Sequence, residues 1–340
     1  MNATATLPDE AGALLDDEPV FPETETGLRR ALDYLGYAPC PVRSEMRKRL
    51  HASFRRAGLD PVWYVPSGCH EENVYDNLWQ DGDPARFPGI VSDLGLEDLL
   101  RPAFVSRALD AGVYTPLSPA LPVRDAFRDA GFADPAGIHH VYAVFPYVIL
   151  ADLEKLGSRP LPSGWADLLH PRYRGDVVIN GEAGDIHEVL LFNLYRDHGE
   201  AGLAALGANV RDFCHPSRMA KAAGSGDPDG AALYVLPWFF AKSAPRRERT
   251  ALVWPVEGAY ANPLYLFARP DRRPPAQHVL DFLTRGEWPA LLARVGFPPA
   301  TPGAPDLPGK LRWPGWEFVR NHDLATLRVP LNEAFMKGRI

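Results

Sequence analysis

The chain has 340 residues, about two domains at roughly 150 residues each, with 36 basic against 43 acidic residues and a net charge of −7. Hydrophobic residues make up 46% and charged residues 23%, which is ample material for a packed core, and Pro (35) and Gly (29) stay below low-complexity levels. The acidic balance excludes a basic nucleic-acid platform, and no apolar run reaches the roughly 18 residues of a membrane-spanning helix.

The first 26 residues read as an acidic, flexible leader. Seven acids precede the first basic residue, Arg29, and the apolar patch Ala11 to Leu15 is only five residues long. A secretory signal needs a basic start and then roughly 7–15 apolar residues, so the expected location is the cytoplasm. Three cysteines, Cys40, Cys69 and Cys214, do not make a disulfide framework, and free thiols are expected.

Short β-rich runs then alternate with helical stretches, the pattern of a mostly parallel sheet. A strand over Ala31 to Tyr37 leads through Pro39-Cys40-Pro41 into a helix. Pro41 suits its first turn, Met46, Leu50 and Phe54 recur every four residues, and Gly58 ends it. Cys40 falls near the N-cap, where unpaired N–H groups lower a thiol pKa. It reads as a reactive thiolate, a metal ligand, an anion site, or a small buried residue. A second strand, Val62 to Pro66, is followed by Cys69-His70-Glu71. If the two strands are neighbours, Cys40, Cys69 and His70 meet at their carboxyl ends. They could hold a transition metal such as iron or zinc, form a redox pair, or act as a thiol nucleophile with His70 as base.

The third strand, Gly89 to Val91, precedes Asp93, which reads either as a ligand contact or as the cap of a helix over Leu96 to Leu100. His139-His140 stand ahead of a long strand, Val141 to Leu150. After a strand over Asp176 to Ile179 comes Asn180-Gly181-Glu182-Ala183-Gly184-Asp185-Ile186-His187, at the start of a helix over Ile186 to Arg196. Its glycines permit close backbone approach, but Glu182 and Asp185 would repel phosphate and no P-loop pattern is present. Asp185 and Glu188 are spaced as a capping pair, and His187 stays open. His215 precedes a further helix. Trp238, Phe239 and Phe240 follow a strand over Ala231 to Leu236, and Tyr260 and Asn262 precede one over Leu264 to Ala268. Trp238 and Tyr260 read as cleft walls or as core.

Two extended stretches, Val141 to Asp152 and Glu257 to Arg269, are each broken by a proline, Pro146 and Pro263, and bracket a compact βα segment. The expected architecture is α/β, with two Rossmann-like lobes joined at a hinge around an interlobe cleft. Lobe 1 comprises 27–144 and 263–340, and lobe 2 comprises 145–262.

The string VYAVFPYVILADLEKLG from Val141, then GWADLLHPRYRGDVVING, GAALYVLPWFFAK and WPVEGAYANPLYLFAR, resembles the solute-binding proteins of ABC importers with the type II periplasmic-binding-protein fold, in particular the ferric-iron-type group. The phrase W-x-D-L-x-x-P-x-Y-x-G-x-V from Trp165 to Val177 is its most specific element. The resemblance implies a cleft that closes on a small ligand or metal complex, and an ABC permease as partner if the protein is exported. Many ferric-binding members use an adjacent Tyr-Tyr pair, and none occurs in this chain. The expected ligand-contact set is Cys40, Cys69, His70, Glu71, Asp93, His140, Glu182, Asp185, His187, His215, Trp238, Tyr260 and Asn262, with Cys40, Cys69 and His70 as the metal candidates. The alternative is a cytoplasmic enzyme on this fold, a lyase or a cofactor or natural-product synthase. Cys40 or Cys69 would then be its nucleophile, His70 or His140 its acid/base, and Glu182 or Asp93 its second carboxylate.

Overall fold

The computed structural model describes residues 32–66, 75, 83, 86–96, 98–182 and 184–339. Its strands are β1 (Tyr34–Gly36), β2 (Trp63–Tyr64), β3 (Ile90–Leu94), β4 (His140–Asp152), β5 (Val177–Ile179), β6 (Gly181–Glu182), β7 (Asp185–Ile186), β8 (Val210–Phe213), β9 (Leu233–Pro237), β10 (Thr250–Val253), β11 (Ala259–Ala268) and β12 (Leu311–Arg312). Its α-helices are α1 (Cys40–Ala57), α2 (Pro102–Phe104), α3 (Asp125–Asp129), α4 (Leu153–Leu156), α5 (Glu188–Asn209), α6 (Pro216–Ala222), α7 (Trp238–Lys242), α8 (Pro274–Thr284), α9 (Glu287–Val295), α10 (Trp316–Asn321) and α11 (Leu324–Lys337).

One curled, mixed sheet carries the order β2-β1-β3-β11-β4-β9-β5-β8, with β10 alongside β4 and β12 alongside β11. The expected parallel pairing holds among β2, β1 and β3 and among β9, β5 and β8. The two long strands break it, since β11 runs antiparallel to both β3 and β4, and β4 runs antiparallel to β9. Both long strands are buried along nearly their whole length and belong to both halves of the sheet.

The prolines do not break these strands. Val144 sends its N–H outward to the Pro298 carbonyl, so Pro146, two residues on, also turns its nitrogen away from β11. Pro263 pairs with Val144 and Pro146 with Ala261, so neither removes a donor from the β4–β11 ladder. Each proline falls where the outer partner of its strand changes. For β4 the change is from residues 298–300 to β9, and for β11 it is from β12 to β3. The two halves of the sheet therefore meet at a seam spanned by β4 and β11.

The helices follow their sequence signals with local corrections. α1 has Val42, Met46, Leu50 and Phe54 on its buried face and ends on Gly58 in the left-handed region at φ 64°. Its cap is Pro39, so Cys40 is the first helical residue and not the cap. α5 continues to Asn209 only across a break at Gly199 (φ 63°, ψ −169°), three residues past Arg196, and packs against α11. Between Gly89 and Leu100 the chain forms a longer strand and a short 3₁₀ turn at Asp98–Leu100 where a helix was expected.

Candidate functional site

At the seam, the carboxyl end of β3 meets the amino end of α5. Gly95, at φ 96°, lies just beyond β3, and its N–H donates to the Pro263 carbonyl. A Cβ at this position would lie 2.5 Å from Glu188 Oε1 and would displace that carboxylate, and the positive φ itself favours glycine. Glu188 opens α5 and is nearly buried, where the helix N-terminus favours its charge. Asn262 on β11, 1% exposed, donates from Nδ2 to Glu188 Oε1 at 3.4 Å, while its Oδ1 is buried without a hydrogen-bond partner. Arg328 of α11 lies 3.7 Å from Glu188 and pairs with Asp185 at 2.7 Å.

Asp93, half-buried in β3, accepts from the Leu94 N–H at 2.8 Å and from the Tyr265 hydroxyl at 3.3 Å. It caps no helix. Beneath it, Tyr34 and Ser92 share a buried hydroxyl–hydroxyl bond of 2.7 Å. On the other side of the seam, Tyr147 is fully buried. Burial first, and then the Glu188 charge, raise its phenol pKa, so the hydroxyl stays neutral and accepts from Asn180 Nδ2 at 2.7 Å. Among the described residues, three carboxylates (Asp93, Asp185 and Glu188), one guanidinium (Arg328) and the open Asn262 oxygen lie at the seam.

The expected residues distribute unevenly. Asn262 and Asp93 lie at this seam. Asp185 does too, but its carboxylate is held by Arg328 and by Asn332 Nδ2 at 2.6 Å and does not cap α5. The cap is His187, whose Nδ1 accepts from the Val189 N–H and whose ring lies 5.3 Å from that of Tyr147. Glu182 is exposed on the β6–β7 hairpin. His215 caps α6 and bonds the Ser217 hydroxyl. Trp238, half-buried on α7, lies under the Lys242 ammonium at 4.6 Å and edge-on to Trp254. Tyr260 is core and not a cleft wall: it is fully buried, stacked on Trp165, and its hydroxyl donates to Asp197. His140 lies at the start of β4 beside a cavity lined by Leu117, Leu121 and Ala300.

Cys69, His70 and Glu71 lie outside the described residues. Cys40 is disulfide-bonded, which corrects the free-thiol expectation: its sulfur serves neither as a thiolate nucleophile nor as a metal ligand in this state. Cys214 is the free thiol among the described residues, and burial pushes its pKa up. No group of three or more His, Cys, Asp or Glu side chains among the described residues is arranged to hold a metal ion.

Glu188, Tyr265 and Arg328 were not singled out by sequence. Glu188 looked like a capping partner by its spacing, and Tyr265 looked like ordinary strand filling. Arg328 carries no local signal, because its partners lie 140 or more residues earlier.

The model of the bacterial extracellular solute-binding protein family matches residues 85–322. The chain belongs to that family. Solved structures share its two-lobed fold. The Trichodesmium IdiA/FutA protein in complex with iron and citrate is 15% identical at a TM-score of 0.61, covering 90% of this chain and 98% of that one. Apo ferric ion-binding protein A of Pasteurella haemolytica is 14% identical at 0.60, covering 91% and 98%. The spermidine/putrescine transporter substrate-binding protein PotD of Streptococcus pneumoniae is 14% identical at 0.58, covering 90% and 99%. No curated protein matches the sequence. Membership in this family of solute-binding proteins implies a small-molecule ligand. No helix among the described residues is long and apolar enough to cross a membrane.

Proposed function

We propose that this protein binds a small cationic solute, or a metal ion carried as cargo, in a cleft between the two lobes and delivers it to an ABC permease. The observation that carries the reading is the buried, unpartnered Asn262 Oδ1 beside the Glu188 carboxylate at the seam, where the described residues include three carboxylates and one guanidinium. A buried acceptor left open costs roughly 1–3 kcal/mol, a cost that a donor or cation from a ligand relieves. Among the structural neighbours, some were solved with iron or are named for ferric ion, and one is named for polyamines, which is consistent with a positively charged cargo.

The disulfide at Cys40 supports work in an oxidising compartment over the cytoplasm, since disulfides persist there and are rare in reducing cytosol. Of the two thiols read as its nucleophile, Cys40 and Cys69, the first is oxidised, which weighs against the enzyme reading. Calorimetric titration of the purified protein with ferric citrate, putrescine and spermidine tests the proposal. Saturable binding of at least one, weakened ten-fold or more by Asn262→Leu, is expected. Binding of sulfate or phosphate with none of these three probes bound would overturn it. Cell fractionation tests the compartment.

A further inference from the structure

A basic surface lies away from the seam, around the segment Trp238 to Arg249, which reads WFFAKSAPRRER. The segment holds four cations, Lys242, Arg246, Arg247 and Arg249, against one carboxylate, Glu248, in a chain whose net charge is −7. Arg249 is paired with Glu154. The other three cations are drawn to the carboxyl ends of three helices. Arg246 Nη1 donates to the Lys221 carbonyl in the last turn of α6 at 2.7 Å, and Arg247 Nη2 to the Lys242 carbonyl at the end of α7 at 2.7 Å. Lys242 Nζ in turn donates to the Arg294 carbonyl near the end of α9 at 3.2 Å.

These contacts bring Lys221, Lys242, Arg246, Arg247 and Arg294 together. Lys221, Arg247 and Arg294 are exposed, and Lys242 and Arg246 are half-buried. None of the five is ion-paired among the described residues, whereas Arg159 and Arg211 of the same half of the sheet close on Asp176. A backbone carbonyl takes one donor and carries no net charge, so the five charges stay open. Lys242 registers this: burial first, and then the like charge of Arg247, lowers its pKa, with no carboxylate opposing them. Aromatic rings stand among the cations. The Lys242 ammonium lies 4.6 Å over the half-buried Trp238 ring, and Phe239 and Phe240, also half-buried, follow it on α7.

We propose that this face is a docking surface for a membrane rich in anionic phospholipid, with the open cations on the headgroup phosphates and Trp238 in the headgroup layer. Clusters of Lys and Arg are drawn to an anionic leaflet within a Debye length, and Trp settles at the membrane–water interface. An acidic protein surface answers the charges alone. The indole directly beneath an ammonium favours the bilayer, whose interface accepts an apolar ring and a cation at one depth. The surface shares no residue with the seam, and the proposal does not rest on the solute-binding reading.

The test is co-sedimentation of the full chain with vesicles of phosphatidylcholine and phosphatidylglycerol in equal parts, and with vesicles of phosphatidylcholine alone. Binding to the mixed vesicles only is expected, and raising the salt from about 0.05 M to about 0.5 M is expected to release it. The double variant Arg246→Glu with Arg247→Glu, checked for folding by its melting temperature, is expected to bind about ten-fold more weakly or less. Glu248→Lys adds charge at an exposed position and needs no loss of a contact shown above. It is expected to tighten binding about three-fold, which keeps the proposal falsifiable if the double variant fails to fold. Absence of binding to the mixed vesicles, equal binding to phosphatidylcholine alone, undiminished binding by a folded double variant, or no gain in Glu248→Lys would each overturn the proposal. So would capture by poly-L-glutamate with no vesicle binding, which would assign the face to an acidic protein instead.

Discussion

Trp165 and Tyr260 lie face to face, with ring centroids 4.1 Å apart and planes inclined by 2°. The stack joins the segment before β5 to the start of β11. Both rings are closed in by polar tethers: Trp165 Nε1 donates to the Gly258 carbonyl and the Tyr260 hydroxyl donates to Asp197. Trp165→Ala removes a fully buried indole with its stacking and is expected to cost about 3–5 kcal/mol. Tyr260→Phe retains the stack and loses one hydrogen bond, for about 1 kcal/mol. Chemical denaturation of the two variants checks the ratio.

Asp197 collects more than that one hydroxyl. Arg312 of β12 donates to it at 2.6 and 2.7 Å, and Arg196 adds a further contact at 2.8 Å. Burial opposes its charge, but the hydrogen bonds from Arg312 and Arg196 outweigh burial and hold its pKa below the ordinary carboxylate value. Its stabilisation is thus present above the unfolded carboxylate range near pH 3.9 and disappears as pH falls through the lower folded value. Asp197→Asn is expected to cost about 2 kcal/mol at neutral pH, discounted for the partial exposure of both arginines. A thermal-melt series in acid should show the difference between wild type and variant shrinking toward the bottom of the pH range.

His140 gives the opposite end of the acid response. Burial, then the neighbouring His139, depresses its pKa from 6.5 to about 4. Between these values the unfolded chain binds a proton that the folded chain refuses. Stability therefore falls as pH drops from 6.5 to about 4 and levels off below. In His140→Phe that slope is expected to flatten, while the steeper loss at lower pH, carried by Asp134 and Asp197, persists. Melting temperatures at half-unit pH steps provide the measurement; an unchanged slope in the variant would contradict the assignment.

Asn262 poses a different trade. Its Oδ1 is buried without a partner, so leucine relieves that cost while removing the long Nδ2 bond to Glu188, and the net loss of folding stability is expected to stay within about 2 kcal/mol. Gly95→Ala, by contrast, must fit a Cβ 2.5 Å from Glu188 Oε1 on a left-handed backbone. It is expected to lose at least 2 kcal/mol, about the sum of a strained φ and a displaced carboxylate. Denaturant midpoints of the two variants, measured side by side, distinguish a seam built for a ligand from one built for packing.

Much of the architecture was legible because it rests on local rules. The period-four spacing of Met46, Leu50 and Phe54 with Gly58 gave α1, and the seven apolar runs named above, with an eighth at Ala251 to Val253, gave the eight principal strands, although their ends moved. The strands that escaped notice are the two-residue hairpin β6–β7, the two-residue β12, and β8, where Arg211 and Asp212 face solvent and leave no apolar run. The site was legible only in part for a related reason. Asp93 and Asn262 follow strand grammar, but the neutralising Arg328 and the buried state of Tyr260 depend on contacts from distant segments that no window of sequence contains. Cys40 was misread because helix-start chemistry speaks to a free thiol and is silent about a sulfur that is already oxidised.

The seam between the halves of the sheet has a mechanical meaning. Where the outer partners change over at Pro146 and Pro263, the sheet narrows to a ribbon two strands wide, and two-stranded ribbons twist more readily than broad sheets. Backbone continuity across the seam therefore runs along one hydrogen-bonded pair of strands, and the local twist of that pair sets the angle at which the two parts of the sheet face each other.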